Sequence, residues 1–536
     1  MSLVFEVASP LNASDGQRAD VACFIGFVAR RPNRPLPAAL RALLSAGGWV
    51  EGIWRRAPPQ IESLENLPLA LDSWDLFDWL FAWEARRLSA GGERVCATYL
   101  GAAVRSFFAR GGRRAIVIRV GDPWPFLESG ASRAARRRER IRRMLPDFAE
   151  RGSVARPFEP HNPASWQGIH HLYGLRECSM LLLPDLPDAC TFEPPQPAVL
   201  VAPPPIPEGF VECSQDEPVP PDTGLRQVPA PRLDSRGFAA WQLAMAAARA
   251  FLADSRNRHE VLLVAALPLP DIDTRRVLAS GHVHAQADML AYLRRIGVLR
   301  DDGNVVGGDR GAASAFVQLA WPWLRTQASM DLPEGLEPPD GALAGLIAAG
   351  ATLRGAFRSV AGEFSMARLR DVADAEPVPS WALGADGPTR QLAQHICVFA
   401  QLPDGWALQS DVTTSPQEAW RFGGASRLMS TIVRAARAAG DAVAFDANGP
   451  ALWAQLRSTV EDMLMGFWRE GAFAGASAAE AFSVRCDRST MTQADLDAGR
   501  LIVEISVRPA LSIERITVVL SLGNTLGDSS RIRQAA

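Results

Sequence analysis

The sequence predicts an α+β multidomain protein, in which a large α/β domain precedes a smaller C-terminal α+β unit. In the first part of the chain, apolar runs such as Val21–Val28 and Ala115–Val120 alternate with amphipathic helical segments, which is typical of buried strands joined by helices. The last part instead shows long helices followed by strands in which apolar and polar residues alternate. The length of 536 residues exceeds what one hydrophobic core usually serves.

The C-terminal unit is the most strongly patterned part of the chain. Asn448 and Pro450 are placed to start a helix with apolar residues at helical spacing, and Gly471 is placed to end it. Three alternating strands follow, at 482–486, 501–507 and 516–522. The last strand lies close to the C-terminus of the sequence.

Composition limits the functions that the chain can have. A net charge of -3 gives no reason to expect a nucleic-acid partner. All basic residues are arginine, so a Walker A phosphate loop and Schiff-base or pyridoxal-phosphate chemistry are excluded, because each needs a lysine. No apolar run reaches the length of a membrane span, and the polar residues 1–20 do not form a signal peptide. These features, with seven scattered cysteines, predict cytoplasmic synthesis and free thiols.

Two groups of residues are loose candidates for a metal site. His282-Val-His284 places two imidazoles on one face of a predicted strand, as in some metal hydrolases, or else supplies surface or subunit contacts. The second group has spacings that fit no zinc-finger pattern: His170, His171, Cys178, Cys190 and Cys213. No Gly-x-Ser-x-Gly elbow is present. The sequence therefore favours a structural protein over an enzyme, and we expect no cofactor or metal.

Several stretches resemble one family in detail. They include a helix, Gly-Gly and strand passage at 99–120, an aromatic-Pro-Trp turn at 315–324, the helix start at 338–345, and C-terminal runs at 448–453, 471–475, 481–487 and 491–495. Together they resemble contractile tail sheath proteins of phage tails and phage-tail-like injection systems. The resemblance covers much of the chain in family order and is most specific in the C-terminal part.

The resemblance implies a subunit that forms helically stacked hexameric rings around an inner tube and contracts to drive that tube through a target membrane. Its implied partners are further copies of itself, the inner tail tube protein, and baseplate and terminal cap proteins, without nucleic acid or stable membrane insertion. Four segments are expected: an N-terminal arm (1–20), an outer α/β sandwich-like domain (21–385) with an irregular, Pro-rich insertion at about 125–257, an inner tube-facing domain (386–512), and a C-terminal strand arm and tail (513–536).

The family resemblance also implies that terminal arms pair with the sheets of neighbouring subunits, a form of β-augmentation. The expected subunit-interaction residues are Ile516, Val518, Leu520, Leu522, Val4 and Val7. The short N-terminal segment lacks the family's usual motif, so a baseplate- or cap-proximal paralogue that does not itself contract is an alternative. A metal-dependent α/β hydrolase using His282 and His284 is the rival from another class. The arginine-rich run 134–143 predicts a solvated helix face.

Overall fold

A computed structural model describes residues 18–149, 159–192, 224–253, 261–270, 293, 314–376, 392–415, 417–443, 446–497 and 501–510. An eight-stranded mixed sheet lies at the centre of this structure. Its strands, in chain order, are β1 (Val21–Gly26), β2 (Leu69–Leu71), β3 (Arg114–Arg119), β4 (Met180–Leu182), β5 (Leu262–Ala266), β6 (Val317–Trp321), β7 (Cys397–Leu402) and β8 (Gly405–Leu408). The spatial order is β8-β7-β6-β5-β4-β1-β3-β2. Neighbours from β7 to β3 run parallel, and β8 and β2 pair antiparallel at the two edges.

The predicted strand at Val21–Val28 is confirmed as β1, which is buried along its whole length between β4 and β3. Ala22 and Phe24 point into the hydrophobic core on one face of the sheet, and Val21, Cys23 and Ile25 into the core on the other. A parallel strand buried on both faces needs apolar residues at every position, which explains the continuous apolar run in the sequence.

Helices cover both faces of the sheet. The six longer ones are α1 (Tyr99–Ala109), α2 (Gly130–Met144), α3 (Ser235–Ala253), α4 (Asp340–Arg354), α5 (Gly423–Ala442) and α6 (Pro450–Arg469). α1 and α4 pack on one face, and α2 and α3 contribute to the core on the other. A Cβ atom at Gly341 would lie 2.4 Å from the carbonyl oxygen of Ala103, so this glycine allows α4 to approach α1 closely.

Shorter elements complete the description. The short helices are Ala38–Ala46, Pro58–Ser63, Trp74–Leu80, Leu186–Ala189, Glu363–Met366, Glu418–Arg421, Ala478–Ala481 and Gln493–Asp497, with 3-10 turns at Pro163–Ser165, Gly168–Tyr173, Leu225–Gln227, Gln327–Ser329 and Pro333–Gly335. Small strand pairs join Ala29–Arg30 to Phe81–Ala82, Arg86–Arg87 to Val95–Cys96, Arg232–Leu233 to Leu269–Pro270, and Trp323–Arg325 to Asp374–Glu376. β9 (Phe482–Arg485) and β10 (Glu504–Val507) form a separate two-stranded sheet.

Part of the predicted irregular, Pro-rich insertion at about 125–257 is regular in the described residues. It contains α2 and α3, and β4 lies in the middle of the main sheet. The apolar run that ends at the Pro184-Asp185 turn predicts a buried strand, and the residues from 239 to 252 predict a helix; β4 and α3 confirm both. The main sheet also continues past residue 386, where the C-terminal domain was expected to begin, because β7 pairs with β6.

The arginine-rich helix has the predicted solvated face, but not all of its arginines lie on that face. Arg136 is exposed, but Arg140 is buried and pairs with Glu128. Immediately before the predicted segment, Arg133 is completely buried and pairs with Asp188. Carboxylates from other parts of the chain compensate these charges, so the sequence run alone did not show which arginines face inward.

Candidate assembly surface

The C-terminal unit is formed by α5, α6 and the β9–β10 sheet around its own small core. α6 buries Leu452, Trp453, Leu456, Val460 and Leu464, which recur at helical spacing. Pro450 occupies its first turn, and Gly471 follows its end with a positive φ of 84°, as the sequence predicts. Asn448 is not the N-cap.

The N-cap of α6 is Gly449, and the Asn448 side chain instead accepts a hydrogen bond from the indole of Trp453 at 2.7 Å. The asparagine therefore ties the segment before α6 to the first turn of the helix rather than capping a backbone N–H.

The two-stranded sheet has one apolar and one polar face. Val484 of β9 is paired with Ile505 of β10, and both side chains face the helices. Ser483 and Ser506 point to the outside. The outer face also carries an exposed ion pair at 2.7 Å between Arg485 and Glu504.

The chain continues as an extended segment beyond β10. The amide of Arg508 donates to the carbonyl of Ala481, and Ala510 donates to Ala472, with Pro509 opposite Phe473 between these bonds. Pro509 fits within this pairing, because the N–H that a proline lacks is not needed at this position.

Each strand of this small sheet has a partner on one side only, as far as the described residues show. Unpaired edges of this kind present backbone N–H and C=O groups to which another strand can be added. The predicted interaction residues Ile516, Val518, Leu520, Leu522, Val4 and Val7 lie outside the described residues, so their role stays a prediction.

Both ends of the described chain lie against the C-terminal unit. Residue 510 pairs beside Ala472, in the segment after α6. At the other end, the guanidinium of Arg434 on α5 donates to the carbonyl of Arg18 at 2.7 Å. The segments before residue 18 and after residue 510 are therefore joined to the same unit as the open-edged sheet.

The candidate metal residues that the structure describes form no metal site. His170 contacts the carboxylate of Asp147 at 3.0 Å, and His171 packs against Trp49 with ring centroids 5.2 Å apart. Burial lowers the pKa of His171 well below its usual value, with Arg56 adding to the effect. No group of three or more His, Cys, Asp or Glu residues in the described ranges has an arrangement that could hold a metal ion.

The remaining metal candidates include residues that the structure does not describe. His282, His284 and Cys213 are all outside the described ranges. Cys178 and Cys190 are buried free thiols, as are the other four cysteines that the structure describes. The prediction of free thiols is confirmed for these six.

The position where doubly wound α/β proteins bind ligands is filled by the protein itself. This position lies at the carboxyl ends of β1 and β4, where the strand order reverses. The carboxylate of Asp185 accepts hydrogen bonds there from the amides of Phe27 (2.7 Å) and Leu100 (3.3 Å), the latter at the start of α1. A Cβ atom at Gly26 would lie 2.3 Å from the same carboxylate, so the space is closed.

A buried ion-pair group lies beside Asp185. Asp188 contacts Arg86 at 2.6 Å and Arg133 at 3.1 Å. Burial raises the pKa of Asp185 to about 7, whereas Asp188 has a lowered pKa because the two arginines outweigh the effect of its burial. The sequence did not reveal this group, since Asp185 is 85 positions from Leu100, and Asp188 is 102 positions from Arg86 and 55 from Arg133. The only signal was the Pro184-Asp185 turn.

No family model matches the chain, and no curated protein is similar to it in sequence. Solved structures are similar over almost its whole length. A chain of the contracted anti-feeding prophage (AFP) helical sheath has a TM-score of 0.50 at 17% identity, covering 98% of this chain and 99% of that one. The contracted PVC sheath complex of an extracellular contractile injection system gives 0.51 at 13% identity, covering 98% and 97%.

A chain in the AFP baseplate in its contracted state gives a TM-score of 0.54 at 18% identity and covers 98% of both chains. In the described part of the protein, no helix combines the length and the apolar character needed to cross a membrane. The similarity at these identities shows the architecture, and it bears out the resemblance found in the sequence: the chain has a contractile tail sheath fold.

Proposed function

We propose that this protein is a structural subunit of a contractile sheath, which polymerises as helically stacked hexameric rings around an inner tube and contracts to drive the tube through a target membrane. The observation that carries the proposal is the two-stranded C-terminal sheet, whose edges are open among the described residues, in a chain with a sheath fold. Such a sheet is suited to accept strands from neighbouring copies.

The segments that supply these strands are the predicted arms. Apolar side chains stand at every second position from 516 to 522, and both ends of the described chain contact the C-terminal unit. Burying the four apolar side chains at 516–522 between subunits is worth roughly 6 kcal/mol or more per contact. Main-chain hydrogen bonds add specificity for an extended partner without demanding a particular sequence. The inner tube protein, the baseplate and a terminal cap are the further partners.

A structural role also fits the chemistry of the main domain. The carboxyl ends of β1 and β4 are filled by Asp185, and the adjacent charges of Asp188, Arg86 and Arg133 compensate one another. This arrangement stabilises the fold and leaves no space for a substrate at that position. Contraction then requires no cofactor, because the free energy comes from a lower-energy packing of the subunits.

Deletion of residues 511–536 tests the proposal. The truncated chain is expected to keep its circular dichroism spectrum but to lose polymerisation, measured by light scattering in the presence of the tube protein. A matched control exchanges Ile516 for Val, Val518 for Ile, and Leu520 and Leu522 for Ile, which should preserve assembly because the side chains stay apolar. A truncated protein that still polymerises, or a full-length chain that stays monomeric at high concentration with the tube protein, would contradict the proposal.

The second candidate is a sheath-like layer next to the baseplate that does not contract by itself. The similarity to a chain of the AFP baseplate favours it as much as the helical sheath matches favour the first candidate. Negative-stain microscopy after co-expression with the tube protein separates the two. Long striated cylinders support the main sheath subunit, whereas single rings at one end of the tube support the baseplate-proximal layer.

A further inference from the structure

The main sheet and the C-terminal unit have separate hydrophobic cores. Leu428 and Ile432 of α5 pack with α6 and the β9–β10 sheet, apart from the two cores that cover the main sheet. Yet the first turns of α5, from Gly423 to Leu428, are also buried. The contacts in this region therefore determine how the C-terminal unit is attached to the rest of the molecule.

Arg427 lies at the centre of the buried polar contacts in this region. Its guanidinium binds both carboxylate oxygens of Asp411, with Nη1 to Oδ1 at 2.8 Å and Nη2 to Oδ2 at 2.6 Å. It also donates to the carbonyl oxygens of Ala356 at 3.0 Å and Arg358 at 3.1 Å. One side chain of α5 thus connects the segment after α4 with the segment after β8.

Asp411 extends these contacts into the main sheet. Its carboxylate accepts hydrogen bonds from Gln318 of β6 at 2.9 Å and from the amide of Val360 at 3.0 Å. The side chain is completely buried. Burial alone would raise the pKa of Asp411, but Arg427 outweighs this effect and the pKa is lowered, so the pair is ionised. We name Gln318, Asp411, Arg427 and the carbonyl groups of residues 356 and 358 the polar joint.

Two glycines at the start of α5 allow the close approach that the polar joint needs. A Cβ atom at Gly423 would lie 2.2 Å from Oδ1 of Asp411. A Cβ atom at Gly424 would lie 2.1 Å from the carbonyl oxygen of Phe357. No larger residue fits at either position without displacing the ion pair or the backbone at 357. The polar joint therefore requires a fixed geometry between the start of α5, strand β6 and the segments that contain Phe357 and Asp411.

We propose that the polar joint holds the C-terminal unit and the main sheet together as one rigid body, and that breaking the Asp411–Arg427 pair releases the unit while both cores stay folded. A buried bidentate pair holds one geometry, and loss of one partner leaves an uncompensated charge that is relieved by admitting water. The cores on either side keep their apolar contacts, because Arg427 contributes to neither.

The mechanical consequence rests on the proposed function. In a sheath subunit, strands added to the β9–β10 sheet would pull on the C-terminal unit. The polar joint would transmit that force to the main sheet, so that the whole subunit turns together. A subunit in which the Asp411–Arg427 pair is broken would remain linked to its neighbours, but its main sheet would not follow their rotation.

Hydrogen exchange followed by mass spectrometry on the isolated full-length chain tests the joint, whether or not the chain polymerises. The variants are Asp411→Asn and Arg427→Lys, with Arg485→Ala, which breaks an exposed ion pair, as the matched control. In both joint variants, amides at 356–361, 410–415 and 425–428 should exchange at least tenfold faster. Those of β1, β3 and residues 456–464 of α6 should keep wild-type protection, and the control should match wild type throughout.

Three results would overturn the inference. Faster exchange that spreads through β1 and β3 would mean that the pair belongs to one cooperative core. Unchanged exchange at all three joint segments would mean that the pair does not hold the unit. Failure of both variants to fold would likewise show that the two cores are not independent of the pair. Failure of the sheath proposal, by contrast, would appear only as a lack of polymerisation.

Discussion

The two sheets of this protein differ in how much of their surface is buried by helices of the same chain. In the main sheet, six neighbouring strands run parallel between helices, and residues such as Phe24 and Val264 are inaccessible to solvent. In the C-terminal sheet, two strands present one apolar face to α5 and α6, and most side chains on that face are only partly buried. Helices cover the first sheet on both faces, whereas among the described residues they cover the second on one face only, and its edges can accept further strands.

The difference indicates a division of roles between the two sheets. Stability of the subunit resides mainly in the main sheet, whose buried charges are compensated by residues of the same chain. The C-terminal sheet has little buried area of its own and gains stability when another strand is added. Four substitutions test this division, in order of decreasing expected effect.

Phe24→Ala should be the most damaging change, because Phe24 is fully buried in β1 and makes an edge-on contact with Phe107 at 5.4 Å. We expect a loss of about 3–5 kcal/mol in the free energy of unfolding, measured by urea denaturation. The matched change Phe482→Ala removes a partly buried ring from β9 and should cost about 1 kcal/mol. Equal losses at the two positions would contradict the division.

Arg133→Met should cost about 3 kcal/mol, since it removes one of the two arginines that compensate the buried carboxylate of Asp188. Arg136→Met, on the exposed face of the same helix, should change stability by less than about 0.5 kcal/mol. Thermal denaturation followed by circular dichroism compares them. Similar melting temperatures for the two variants would show that the buried Arg133–Asp188 pair contributes little to stability.

Glu337→Gln should stabilise the main domain at alkaline pH. Burial raises the pKa of Glu337 to about 7, although Ser106 and Thr326 donate to its Oε1 at 2.7 and 2.6 Å. A carboxyl group with a raised pKa in the folded state stabilises at low pH, and this contribution is lost as the pH rises from about 4.5 to about 7.

Glutamine keeps an acceptor for both hydroxyl groups and carries no charge, so the variant should exceed wild type by roughly 2 kcal/mol at pH 8 and match it near pH 5. Melting temperatures of both proteins between pH 5 and 8 provide the measurement. A difference that stays constant across this range would show that Glu337 does not titrate in it.

Arg485→Ala should have the smallest effect. The pair with Glu504 lies on the exposed face of the C-terminal sheet, where both side chains are about half or more accessible. Exposed pairs of this kind contribute less than about 1 kcal/mol, and salt screens them. A double-mutant cycle with Glu504→Ala measures the coupling. A coupling well above 1 kcal/mol would mean that this face is covered by something other than solvent.

Local patterns in the sequence predicted the elements whose signals are local. β1 and α6 follow from an apolar run and a helical repeat, and the β9–β10 pairing agrees with the alternating strands. The groups that depend on distant pairs were not predictable. Arg133 is one of 56 basic residues, and nothing in its neighbourhood shows that Asp188 compensates it. Likewise, Asp411 and Arg427 lie only 16 positions apart, but their joint role depends on Gln318 and residues 356–360 from far earlier in the chain.

The two open edges of the C-terminal sheet limit the number of strands that other molecules can add to one subunit. A sheet of two strands can accept one additional strand on each edge, so each subunit can accept at most two strands at this position. An array in which every subunit fills both positions contains no free edges in its interior and leaves free ones only at its boundary. Under the proposed strand addition, the free edges of the last layer remain open to further subunits until a different molecule occupies them.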